Sequence, residues 1–131
     1  MKFSSFAGTD RPALKYLYKH VKAHITSKWY DIGVELFDVE DEAVLNTIRT
    51  DHPGDSDKCA AEMLRLWLEK KTDASWNQLT KTLREPNIKL EYLATKIESL
   101  LSEGTIVCYV RTYVTHSYLA EVILHKLQTE N

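Results

Sequence analysis

Between Leu14 and Leu101 the apolar residues recur three and four positions apart, in short runs separated by polar or turn-forming breaks. That spacing puts each run on one side of an α-helix. No alternating, strand-period run interrupts them. An amphipathic helix must bury its apolar stripe against another element, so six such helices with short links must share one core. The expectation is an all-α, antiparallel six-helix bundle over residues 11–102.

The individual runs set the expected boundaries. A first helix over 11–25 carries Leu14, Leu17, Val21 and Ile25, with Asp10 or Thr9 as its cap and Pro12 in its first turn. Ser27 caps a second, with Trp29, Ile32 and Leu36 inside. Gly33 sits mid-pattern, where it weakens a helix by about 1 kcal/mol relative to alanine. Close approach of a neighbouring helix would account for it. Asp38 opens a third helix, whose apolar residues are Val44, Leu45 and Ile48. Pro53-Gly54 marks a turn. The fourth helix, over 56–71, is the longest, with Ala60, Met63, Leu64, Trp67 and Leu68 as its stripe and Lys70 and Lys71 at its negative end. Asp73 caps a fifth helix, with Trp76, Leu79 and Leu83 inside; Pro86 ends it. The sixth, over 89–102, carries Leu90, Leu93, Ala94, Ile97, Leu100 and Leu101, and Gly104 stops it.

The flanking segments read differently. Residues 1–10 are expected as a flexible leader, and they lack the apolar stretch of a secretory signal. Residues 103–131 form an unassigned extension. Within it "TIVCYVRTYVTH" favours strand, whereas "SYLAEVILHKLQ" reads as a helix with Leu119, Val122, Ile123 and Leu127 on one side. Five polar or charged residues (Arg111, His116, Glu121, His125 and Lys126) make 105–127 too polar for a membrane span, which needs about 20 mostly apolar residues. Cys59 and Cys108 form no CxxC and are expected as free thiols in a reducing, cytoplasmic setting.

A net charge of −2 hides a segregation. Through Lys28 there are six bases (Lys2, Arg11, Lys15, Lys19, Lys22 and Lys28) against Asp10 alone, a balance of +5. From Asp31 to Glu62 ten acids face Arg49 and Lys58, a balance of −8. Opposite charge on separate segments governs association more than fold.

Catalytic and ligand-binding readings find little support. The paired tryptophans Trp67 and Trp76 could line an aromatic pocket, but both fall on buried stripes and read as core anchors. His20 and His24 stand one turn apart with no further zinc ligand nearby. A calcium loop counted from Asp51 would end at Glu62, but Pro53 and Ser56 occupy the wrong positions. Cys59 sits beside Ala60 and Ala61 and reads as a packing residue. Four scattered glycines cannot form a phosphate-cradling loop. No cofactor, metal or enzymatic activity is expected. Nucleic-acid binding through the basic first helix is the alternative, against an overall pI of 6.2.

Three stretches carry a family resemblance: "KWYDIGVEL", "MLRLWLEKKTDASWNQL" and "LATKIESLL". They resemble the death domain, the six-helix Greek-key module of the death-fold superfamily, over Pro12 to Leu101. The most specific elements are Trp29, a long fourth helix ending in Trp67-Leu68, then a small residue and Trp76. The resemblance implies a non-enzymatic module that binds other death domains in apoptotic or innate-immune signalling. Two sister subfamilies, the CARD and the death-effector domain, share the fold and are the nearest alternatives.

The same resemblance implies asymmetric contacts, one of them joining helices one and four to helices two and three. The charges fit such a contact. Lys15, Lys19, Lys22 and Arg65 are the expected basic face, and Glu35, Asp38, Glu40, Asp41 and Glu42 the acidic one. Different patches of opposite charge propagate head to tail instead of closing into a two-fold dimer. The partners expected are other death domains or further copies of the chain, with no nucleic acid and no membrane. The core expected beneath these faces is Leu17, Val21, Trp29, Ile32, Leu36, Leu45, Ile48, Leu64, Trp67, Leu68, Trp76, Leu79, Leu93 and Ile97.

Overall fold

A computed structural model describes residues 10–107. Among these residues the chain is an all-α bundle of six α-helices with no strand. The helices are α1 (Leu14–His20), α2 (Trp29–Leu36), α3 (Glu42–Asp51), α4 (Ser56–Lys70), α5 (Trp76–Leu83) and α6 (Glu91–Ser102). The strand-like and helical readings of the extension beyond Val107 lie outside the described residues.

The central element is α4, against which α1, α2 and α3 all pack; α5 joins α2 and α6 on the far side. Leu17, Val21, Ile32, Leu64, Trp67, Trp76, Leu79, Leu93 and Ile97 are fully buried, with Trp29, Leu36, Leu45, Ile48 and Leu68 nearly so. They form one continuous cluster. Among the described residues the indole N–H groups of Trp67 and Trp76 meet no hydrogen-bond acceptor, and both rings are wholly enclosed by the core.

Gly33 shows why α2 tolerates a helix-weakening residue. A Cβ at that position would lie 2.6 Å from Leu45 Cδ2 and 3.3 Å from Met63 Cγ. Its bare backbone is the surface on which α3 and α4 close over α2. At the other end of the chain, Gly104 takes φ +82°, the left-handed conformation that ends α6.

Several boundaries depart from the sequence reading. The first helix ends at His20, well short of Ile25, and two 3₁₀ turns (Lys22–His24 and Thr26–Lys28) lead into α2. Val21 and Ile25 remain buried in this tighter path. Four successive β-branched or polar residues, Ile25 to Lys28, lose little by leaving the α-helical ladder, because 3₁₀ turns keep the core contacts. Ser27 therefore caps nothing. Asp10 does not cap α1 either; the cap position is Ala13, without a side-chain bond. Instead Asp10 is buried, and its carbonyl accepts the Trp76 N–H at 3.2 Å. Asp38 opens a 3₁₀ turn (Val39–Asp41) ahead of α3.

The cap of α5 is Ser75, whose Oγ accepts the Gln78 N–H at 3.1 Å, and not Asp73. Ala74 is buried and Asp73 exposed, so the last residue before the helix supplies the oxygen. For α4 the cap is Asp55, which accepts the Lys58 N–H. The calcium-like spacing of that loop thus resolves into a cap, while Glu62 bonds Arg65.

Candidate functional site

Small-molecule sites are concave, mostly apolar clefts with a few converging polar groups. A shallow depression of about 440 Å³ lies along Thr95, Glu98, Ser99, Ser102 and Glu103. Its strongest acceptor is already engaged, because Arg84 reaches across from the end of α5 and clasps Glu98 with two bonds of 2.8 Å. That fork holds the Glu98 carboxyl below the usual carboxylate range. Cys59 is buried, its Sγ directed at the His52 carbonyl at 3.4 Å. Burial and the neighbouring Asp55 raise its pKa, which suppresses the thiolate.

The charged outer surface is therefore the candidate site, and α1 organises it. Tyr18 and Lys22 turn toward α4: the Tyr18 hydroxyl donates to the Ala61 carbonyl at 3.4 Å, and Lys22 pairs with Asp57 at 3.4 Å. Tyr16 and His20 stack on the opposite flank, with ring centroids 6.3 Å apart. The next ring along, His24, meets Tyr92 of α6 edge to face at 6.4 Å. Lys15 and Lys19, one turn apart, stand exposed on the ridge between the two flanks.

This arrangement divides the expected basic face. Arg65 bonds Glu62 at 2.8 Å and Glu69 at 2.9 Å on its own helix, so this patch of α4 carries more negative than positive charge. Glu62 holds the Arg65 pKa above its usual value, and the guanidinium in turn lowers that of Glu62. With Lys22 on Asp57, neither cation is available at full strength. Lys15 and Lys19 have no carboxylate within 4.0 Å among the described residues. They are joined by Lys96 of α6, exposed and likewise without such a partner. Both Lys19 and Lys96 lie near enough to His20 to help burial lower its pKa.

The expected acidic face divides too. Lys71, just past α4, reaches the turn before α3 and bonds Asp38 and Asp41, the latter at 2.9 Å. The Lys71 ammonium is the largest cause of the lowered Asp41 pKa. Glu35, Glu40 and Glu42 remain exposed, with no cation at ion-pair distance among the described residues. Between them Val39 is 90 % exposed on a turn held at both ends by Lys71.

Sequence reasoning missed two residues that build this frame. Arg11 donates to the Lys71 carbonyl at 2.7 Å and to the Leu68 carbonyl, closing the C-terminal end of α4. Lys71 reads from sequence as a dipole partner for its own helix, yet bridges two carboxylates some thirty residues away. Neither contact has a local sequence signal. No helix among the described residues is long and apolar enough to cross a membrane. Comparison with protein-family models, with curated proteins and with solved structures gave no match to this chain.

Proposed function

We propose that the chain is a non-enzymatic interaction module of the death-domain type, binding other death domains or further copies of itself in cytoplasmic signalling of the apoptotic or innate-immune kind. The observation that carries this reading is the separation, on a six-helix bundle, of exposed charges that have no ion-pair partner among the described residues. Lys15 and Lys19 lie on the ridge of α1, and Glu35, Glu40 and Glu42 lie around the α2–α3 junction. The resemblance of the segments around Trp29, Trp67 and Trp76 supports the same reading, and all three rings lie in the core. Complementary potentials of this kind set partner choice and association rate.

The test is a pull-down against a panel of purified death domains, repeated after reversing Lys15, Lys19 and Lys22 to Glu. The reading expects capture of at least one member and its loss on reversal. Capture that survives reversal would remove the basic face from the interface. No capture at all, together with no self-association, would refute the module.

A further inference from the structure

Of the expected basic face, the part where α1 meets α4 is neutralised from within. Lys22 is held by Asp57, and Arg65 by Glu62 and Glu69. Basic side chains without a carboxylate at ion-pair distance among the described residues remain where the end of α1 and the 3₁₀ turn after it face α6. There Lys19 adjoins His20 in the chain, Lys96 stands one turn from Tyr92 on α6 and near enough to His20 to help lower its pKa, and the His24 and Tyr92 rings lie edge to face at 6.4 Å. Tyr92 is 60 % exposed, an unusual amount of bare aromatic surface on an otherwise polar helix side. Of the acids along α6, Glu98 is held by Arg84, and Glu91 stands exposed next to Tyr92. The result is an aromatic surface with a cationic rim.

The molecule also carries the complement of that surface. Val39 stands 90 % exposed at the tip of the turn before α3, flanked by Glu40 and Glu42, whose carboxylates have no ion-pair partner among the described residues. Lys71 pins Asp38 and Asp41 on either side, and the Asp41 N–H donates to the Asp38 carbonyl at 2.9 Å. The tip is thus an apolar knob with an acidic rim, fixed before any partner arrives, which lowers the entropy lost on binding.

We propose that the Val39 knob of one copy docks on the Lys19–Tyr92–Lys96 surface of a second copy. Tyr92 supplies apolar area for Val39, while Lys19 and Lys96 meet Glu40 and Glu42. The two surfaces are different, so the contact is head to tail and leaves one free surface at each end. The proposal rests on the reading of the chain as a homotypic module, and places its basic surface on the α6 side of α1.

Two neutralised variants of the full chain test it by sedimentation velocity at low salt. One carries Lys19→Ser, Tyr92→Ser and Lys96→Ser; the other carries Val39→Ser, Glu40→Ser and Glu42→Ser. All six positions are exposed, so both variants should fold, which circular dichroism checks. The wild type should form species larger than a dimer, each variant alone should be monomeric, and an equimolar mixture should stop at a one-to-one dimer. A wild type that associates while either variant associates equally well would overturn the docking geometry and leave the homotypic reading standing. Loss of association in a Lys22→Ser, Arg65→Ser variant, with the α1–α6 variant unaffected, would move the contact to the α4 side and likewise overturn it. A wild type that stays monomeric at high concentration would overturn the second copy as occupant. Salt-steep binding of a labelled single-stranded oligonucleotide by that monomer would assign the α1–α6 surface to nucleic acid instead.

Discussion

The corner between α4 and α5 and the outer ridge of α1 are both built with basic residues, and they use them in opposite ways. In the corner, Arg11 closes the carbonyl end of α4, and Lys71 bridges Asp38 and Asp41 across the α2–α3 junction. Trp67 and Trp76 lie directly beneath, both fully buried. On the ridge, Lys15 and Lys19 touch no carboxylate among the described residues. The first set of charges is consumed in holding the fold together. The second is not engaged by any carboxylate among the described residues. A count of lysines and arginines does not distinguish the two, because availability depends on which carboxylate or carbonyl the fold brings alongside.

If that contrast is correct, damage to the corner shows up as lost stability. Trp67→Ala or Trp76→Ala should cost about 3–5 kcal/mol in urea unfolding, since each empties a fully enclosed volume. A loss below about 1 kcal/mol would break the contrast at its strongest point. Arg11→Ala should cost about 1–2 kcal/mol, a discounted figure for charge-assisted bonds at a half-exposed site. Arg11→Lys should recover only part, because a single ammonium nitrogen lacks the planar guanidinium fork whose two terminal nitrogens each reach one carbonyl. Full recovery would mean that charge alone, and not the fork, closes α4.

A smaller effect should appear on acidification. Burial, with Lys19 and Lys96, lowers the His20 pKa from its ordinary 6.5. The unfolded chain therefore takes up this proton first, so the stability contribution is present above pH 6.5 and is lost as pH falls toward the lowered folded value. His20→Gln should flatten the stability profile between pH 7 and 5, measured by urea midpoints. Only further down, below the usual carboxylate range, should the pairs of Asp41, Glu62 and Glu98 fail, because their pKa values are lowered. The smallest change in stability belongs to the ridge. Lys15→Ser with Lys19→Ser should shift the unfolding free energy by no more than about 0.5 kcal/mol. A large loss there would place those lysines with the corner.

The parts of the molecule legible from sequence are those governed by local periodicity. The stripes of α4 and α6 lie as their spacing predicts, and the closeness of α3 to Gly33 follows from a glycine in an otherwise sound helix. Boundaries were less legible where two conformations bury the same residues. Val21 and Ile25 are interior in an α-helix and in the 3₁₀ path that the chain takes, so their pattern cannot choose. Caps had a similar ambiguity: Asp73 and Ser75 both carry a capping oxygen, and the burial of Ala74 decides between them.

The charged faces were legible in sign and illegible in detail. Glu62 and Glu69 stand three and four residues from Arg65, so their pairing was open to the helical spacing rule. Lys22 with Asp57, and Lys71 with Asp38 and Asp41, join residues far apart in sequence. Only the packing of α4 against its neighbours brings them together. The same packing brings Lys96 near enough to His20 to help lower its pKa, a neighbour that reading α1 alone could not supply.

The central claim is that the charge left over on the outer faces mediates association. Sedimentation velocity of the wild-type chain over a concentration series, at low and at high salt, addresses it most directly. The account predicts a sedimentation coefficient that rises with concentration at low salt and collapses to the monomer value as salt screens the faces. A monomer at every concentration in low salt, or an oligomer indifferent to salt, would contradict it.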